Sequence, residues 1–484
     1  MAISKQFKYG AVLLSGLVLS ACSTTGPVAE LSNTSRGFSA VQVAAKKKTG
    51  KDSVWIQNQA QADKVSKRVH SLIHKKTINA DTAVQVALLS NKGLQAAYAE
   101  VGLSAADVWQ EALPENPTLI VETSGVGVSR AIETLIAANI ASLITRNKRV
   151  NVAEAQHRRA QLVAVAETLR VAGETRAAWI KSVSAWEQAA HIKNAVRASE
   201  AGSELALQLG RTGAIPKAAQ AREHANYADI TARLARAKLM ARGAKRELAR
   251  TMGVWGQETE FFVPNSLPNI PRRPKVMKAV ASTALRNRVD LMIAHADLEI
   301  LARNYGLVNV SRFVSDLVLV GGTELGRAED GGNEVSGRID LDFAIPIFDT
   351  GKARLRKAEL AYMRAANILA QKAVNVRSEA QTAYGGYRGQ HDIVRHYQTS
   401  VLPLHRTLEE QALLNNNGMI TYTFELLADV RAKLNAELEA DRAKRDFWLA
   451  DLNLEASVYG PGPSDEDEEE EDIEIPEGGE EEEA

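Results

Sequence analysis

Apolar positions along the chain follow two periods, and each period occurs in both halves. From Arg338 to Ile347, the residues Ile339, Leu341, Phe343, Ile345 and Ile347 alternate with Arg338, Asp340, Asp342 and Ala344. That is the period of two expected of a strand with one apolar face. Pro346 near its end unfits it for the centre of an ordinary sheet. Arg312 to Leu325 sets Phe313, Leu317 and Leu319 against Arg312 and Asp316, and the polar run Glu329 to Glu334 between the two reads as a turn. In the first half Thr118 to Val128 reads as a strand, whereas Leu135 to Thr145 reads equally as strand or helix. The second period is helical. Leu355, Tyr362, Leu369, Val376 and Ala383 recur every seven residues, with Ala366, Ala373 and Ala380 interleaved, a seam for side-by-side helix packing. Lys148 to about Leu209 has no proline and is free to form one helix, roughly 60 residues and roughly 90 Å long. Pro403 is expected to kink its counterpart near the far end.

The two halves align. Shifted by 205 positions, Arg149–Gly253 lies on Arg354–Val458 without a gap, with Trp179 on Tyr384 and Thr212-Gly213-Ala214-Ile215 on Asn417-Gly418-Met419-Ile420. Upstream, Ala83-Val84 and Asn91-Lys92 match Ala279-Val280 and Asn287-Arg288 at an offset of 196. The order helix, strand pair, long helix, helix therefore predicts an α+β, mainly α chain of two tandem repeats, residues 78–263 and 276–460. Between them Pro264, Pro268, Pro271 and Pro274 mark a linker, 264–275, that excludes helix and central strand. Gly213 permits positive φ where the chain reverses, and Pro216 suits the first turn of the next helix. Four short strands cannot close a barrel alone, since bacterial barrels start at about eight strands, but three chains would supply twelve. An open edge in lipid is forbidden, so membrane strands here imply an oligomer.

Charge separates the ends from the body. Lys5 and Lys8, then the apolar Gly10–Leu19 and Leu19-Ser20-Ala21-Cys22, form a signal segment, 1–21, resembling that of a bacterial lipoprotein. Cys22 is the single cysteine, so no disulfide framework exists; it is the expected lipidation site. Ser23 after it suggests sorting to the outer membrane, and residues 22–77 begin as a tether. No apolar run beyond the signal is long enough for a spanning helix. The zero net charge is a cancellation: residues 465–483 hold 14 of the 59 acidic groups, leaving 45 against 59 basic ones. Residues 461–484 are thus expected to be a disordered acidic tail.

Together these features resemble the outer membrane efflux family, the TolC-type ducts, from about Val65 to Tyr459. The most specific stretch is Ile345-Pro346-Ile347-Phe348-Asp349-Thr350-Gly351-Lys352, similar to the family's "P-[LI]-F-D-x-G". Asn287-Arg288-Val289-Asp290-Leu291 is similar to "N-R-P-D-L", with Val289 in place of the proline, and Glu115-Asn116-Pro117 precedes the first strand. Ala83–Gly102 and Phe424–Leu452, with Phe447-Trp448-Leu449, look like members associated with heavy-metal resistance. The resemblance implies a homotrimer with a 12-stranded barrel in the outer membrane and a long α-helical barrel reaching through the periplasm. It also implies a periplasmic adaptor, an inner-membrane transporter and passive conduction. The hairpin turns Gly213, Ala214, Ile215, Pro216 and Asn417, Gly418, Met419, Ile420 then become the adaptor-docking tips. Glu425 and Asp429, four apart after the second turn, become the candidate pore gate.

No catalytic constellation is present. Gly125-Val126-Gly127-Val128-Ser129 lacks the lysine of a phosphate loop and reads as a tight turn. His70 and His74 lack the glutamate of a zinc-protease motif and read as a solvated helix face. Glu329, Asp330, Asn333 and Glu334 read as a hairpin loop rather than a calcium site. Nine His and seven Met show no ligand spacing. The expectation is therefore a non-enzymatic protein without cofactor, metal or nucleic-acid partner. A lipid-anchored periplasmic coiled-coil protein without a pore is the rival, and paired strands between long helices distinguish the two.

Overall fold

The computed structural model describes residues 35–124, 131–311, 317–327, 333–343, 347–417 and 423–460. Its first described elements are α1 (Phe38–Thr49), α2 (Gln59–Ile73), α3 (Ala80–Ser90) and α4 (Lys92–Ala112). The strands β1 (Thr118–Ser124) and β2 (Ala131–Asn139) follow, then the helices α5 (Ile140–Arg211) and α6 (Lys217–Met252). The second half runs α7 (Val280–Asn287), α8 (Val289–Ser311), β3 (Leu317–Arg327), β4 (Asn333–Phe343) and α9 (Lys352–His396). A π turn at Tyr397–Val401 leads to α10 (Leu402–Asn417), and α11 (Thr423–Tyr459) closes the order. The strands form one antiparallel sheet, β1-β2-β3-β4. Among the described residues no helix is long and apolar enough to cross a membrane.

The boundaries carry the physics. The segment that read as either strand or helix is both: it is strand to Asn139 and helix from Ile140, because the Asn139 side chain accepts the Ser142 N–H at 3.1 Å and caps α5. With 72 residues, α5 is longer than expected and spans about 108 Å at 1.5 Å per residue. β3 is described from Leu317; residues 312–316, where the strand is expected to begin, lie outside the described residues, as do 125–130, 328–332 and 344–346. Asn333 and Glu334, expected in a turn, instead pair with Arg327 and Gly326. Ladder bonds use the backbone, so polar side chains do not end a strand. Ile347, expected in the strand, lies in a bend beyond β4. At Pro403, where a kink is expected, the irregularity that the structure shows is a π turn just before it. Proline offers no N–H to the preceding turn, and the helix absorbs the gap as a π turn in which the Leu402 N–H bonds the Tyr397 carbonyl.

Three apolar clusters line the long helices instead of one central core. The first gathers α2, α3 and α6 around Trp179, whose indole donates to the Ile78 carbonyl at 3.0 Å. The second packs α1, α3, α4 and Val289 of α8 on α5. The third lies among α7, α8, α9 and α11 around Tyr387 and Phe447, ring centroids 5.4 Å apart. Of the heptad seam, Val376, Ala380 and Ala383 are buried, Leu369 and Ala373 partly so, and Tyr362 is exposed. The linker 264–275 binds both halves through side chains. Glu187 accepts the Leu267 N–H (3.1 Å), Trp448 donates to the Pro268 carbonyl (3.0 Å), and His391 to that of Pro271 (2.9 Å). Residues 52–56 run over the first cores held by two glutamine amides, Gln85 on Asp52 and Gln95 on Val54 and Ile56.

Candidate functional site: a two-faced sheet and the hairpin ends

Register decides what each face of the sheet presents. Leu119 pairs with Ile136, Thr123 with Ile132, Ile132 with Leu325, Leu319 with Leu341 and Leu317 with Phe343. Directly paired residues point to the same side. One face therefore carries Leu119, Val121, Ile132, Ile136, Leu319, Leu325, Val335, Ile339, Leu341 and Phe343, all exposed to the surroundings. The other carries Glu122, Glu133, Glu324, Asp340, Asp342 and Arg338. Glu122, Glu133 and Glu324 stand side by side across three strands, an arrangement of like charges that costs stability unless water screens it. Arg338 stands opposite Gly322, and its guanidinium meets Glu133 at 3.4 Å and Asp340 at 2.6 Å. Gly322 has no alternative: an added Cβ would lie 2.1 Å from the Thr134 carbonyl oxygen and 2.8 Å from the Leu135 side chain covering it. One face is thus apolar, while the other carries the charged groups beside Ile120, Leu135, Val318 and Val320; β2, β3 and β4, with 9, 11 and 11 residues, have the length of strands that cross a bilayer.

At the opposite end of α5 the chain reverses through Gly213 at φ 75°. The Gly213 and Ala214 amides return to the carbonyls of Gly210 (3.2 Å) and Leu209 (2.9 Å), closing the helix end. Ala214 is exposed and Ile215 half-buried. Pro216 is the cap residue rather than the first helical one, because its ψ of 151° is extended and α6 starts at Lys217. In the second half Asn417 ends α10, while Gly418, Met419 and Ile420 lie outside the described residues, as does Cys22. Glu425 is exposed in the first turn of α11, and Asp429 one turn later is half-buried.

Two polar clusters escaped sequence reasoning. Between α5 and α11, His191 faces Glu437 (3.6 Å) and Asp441 (3.3 Å), while Lys444 reaches Glu187 (3.3 Å). Burial, reinforced by Glu187 and Glu437 and opposed by His191 and Lys444, pushes the Asp441 carboxyl up to about 6. No local spacing could have signalled this cluster, since its members come from different halves. The other lies in the Asn287–Leu291 motif, where buried Arg288 grips Asp290 through two bonds (3.0 and 2.8 Å) and also meets Glu379. Val289, the departure from the motif, is the first residue of α8. Proline is tolerated there because that N–H has no partner in the helix, so the replacement leaves the backbone undisturbed. His70 and His74 are more than a solvated face: their rings stack at 4.3 Å and His70 meets Glu258 at 2.7 Å. Among the described residues no group of three such donors could hold a metal ion.

This arrangement of one four-stranded sheet and two long helical hairpins recurs in solved outer membrane channels. The Campylobacter jejuni CmeC outer membrane channel matches with a TM-score of 0.66 at 15% identity, over 80% of this chain and 86% of that one. The outer-membrane channel OprN matches with a TM-score of 0.64 at 17% identity, over 86% and 95%. The open state of the Neisseria gonorrhoeae MtrE outer membrane channel matches with a TM-score of 0.62 at 15% identity, over 78% and 88%. No family model and no curated protein sequence matches. The fold is that of the outer membrane channels.

Proposed function

We propose that this chain is one protomer of a TolC-type outer membrane duct, passively conducting solutes delivered by a periplasmic adaptor and an inner-membrane transporter. The observation that carries this reading is the two-faced sheet with unpaired outer edges on β1 and β4. A bilayer tolerates such edges only when other copies pair with them, and three copies of four strands make a closed ring of twelve. The apolar face then meets lipid and the acidic face a water-filled lumen. The recurrence of element order in both halves supports the two-repeat reading and a tube of hairpins below the barrel. Exposed Leu360, Met363, Ile368, Leu404, Leu408 and Leu413 along α9 and α10 supply apolar surface for neighbouring protomers.

The anchor belongs to the same proposal. Gly37 packs against His157 and Gln161, about 25–30 Å down α5 from the sheet at 1.5 Å per residue. The residues between Cys22 and Ser35 reach at most about 45 Å when extended, so an acylated Cys22 can sit in the membrane. The tips at Gly213 and Gly418 are the proposed docking ends, and Glu425 with Asp429 the gate. A pore-free coiled-coil lipoprotein has no use for a sheet with one apolar and one charged face.

The test is assembly and conduction by the purified full chain. Native mass spectrometry in detergent should give trimers, Leu369→Asp should weaken them, and planar bilayers should show stepwise conductance. Monomers at micromolar concentration together with silent bilayers would refute the duct.

A further inference from the structure

The acidic run 465–483 has no place in the duct, and α6 carries an equally unexplained positive charge. Residues 230–246 contain six basic groups, Arg233, Arg236, Lys238, Arg242, Lys245 and Arg246, and no acidic one. The helix packs on α5 and, at its end, on α3, leaving Arg236, Lys238, Arg242 and Arg246 exposed. Those four and Arg233 make no ion pair among the described residues. Lys245 instead lies 4.9 Å over the ring of Phe261. Exposed Leu239 and Met240 sit within the same stretch. Elsewhere on the long helices, by contrast, Arg170, Arg356 and Arg442 are each paired with a glutamate one turn away.

We propose that residues 465–472 of the chain's own acidic segment dock along this basic stripe of α6 as an electrostatic strap. The tether geometry permits it. The last described residue, Gly460, sits against Leu169 of α5. The hydrogen bonds of Ser203 with His224 and of Asn226 with Ser199 set the antiparallel register of α5 and α6. In that register Arg246 lies level with about Ile180 and Arg233 with about Lys193, some 16 to 36 Å along the axis from Leu169 at 1.5 Å per residue. The twelve residues from 461 to 472 extend to about 40 Å, so eight consecutive carboxylates (Asp465–Asp472) reach the stripe. The match is one of charge density, so the strap holds at low ionic strength and loosens as the Debye length shrinks. While bound it neutralises a helix face that would otherwise attract any anionic surface.

Zero-length carbodiimide cross-linking of the purified full chain tests this. At 50 mM salt, cross-linked peptides should join Lys238 to residues 465–472, and their yield should fall several-fold at 500 mM. Arg242→Glu with Arg246→Glu should cut the yield at least fivefold while helix content by circular dichroism stays unchanged; Arg242→Gln with Arg246→Gln should fall between. A synthetic peptide of residues 465–483 should compete with the cross-link. Two outcomes overturn the proposal. One is cross-links spread equally to distant lysines such as Lys352 and Lys357, or unchanged by charge reversal. The other is equal capture, by phosphatidylglycerol vesicles, of the full chain and of a variant whose residues 465–472 are amidated, with capture lost on reversal of Arg242 and Arg246. That result makes the stripe a lipid surface.

Discussion

Asp441 makes the contact between α5 and α11 sensitive to pH, in a direction that follows from its surroundings. Its carboxyl titrates at about 6 because burial and the neighbouring Glu187 and Glu437 disfavour the charged form more than His191 and Lys444 favour it. An exposed aspartate titrates near 3.9, so the packed contact binds a proton more tightly than the opened one. The stabilisation is therefore fully present below the unfolded value and is lost as pH rises through about 6. Between pH 5 and pH 7 that loss is about 1.4 kcal/mol per chain, a factor of about ten in the opening equilibrium. Hydrogen exchange of peptides covering 184–195 and 434–445 reads it. After correction for the intrinsic rate, protection at pH 5 should exceed that at pH 7 about tenfold, since opening is local. Asp441→Asn keeps the shape without the charge. It should raise protection at pH 7 toward the pH 5 level and flatten the pH dependence. The same pH ratio in wild type and variant would refute the assignment.

Arg288→Ala leaves half-buried Asp290 with Lys372 (3.6 Å) as its one cation and the Leu291 N–H (2.9 Å) as a donor and should cost about 3 kcal/mol in urea unfolding followed by tryptophan fluorescence; a loss under 1 kcal/mol would count against the network. Phe447→Ala empties a fully buried site between Tyr387 and His391 and should cost about 3–5 kcal/mol by the same measurement. Gly213→Val forces a branched side chain into positive φ and should loosen the α5–α6 tip by about 1–2 kcal/mol, visible as faster exchange at residues 206–218 only. Metabolic labelling with a fatty acid should mark the wild type and not Cys22→Ser; label in both would remove the anchor.

Local chemistry made much of this protein legible in its sequence. The alternation from Ile339 to Phe343 prescribes a strand with one greasy face whatever surrounds it, because successive side chains point to opposite sides. The absence of proline from Lys148 to Leu209 permits a long helix, and Gly213 marks its reversal, because both act on the backbone of their own neighbourhood. Even Pro403 announced an irregularity, although the π turn that absorbs it lies upstream. Contacts between distant parts of the chain were decided only by the tertiary structure. Asp441 becomes a high-pKa carboxyl only when α5 of one half packs on α11 of the other. The pairing of Glu122, Glu133 and Glu324 in one row depends on register between strands nearly 200 residues apart in sequence. Periodicity states which face of an element is apolar; it holds no information about which other element covers that face, and burial, charge coupling and register all arise there.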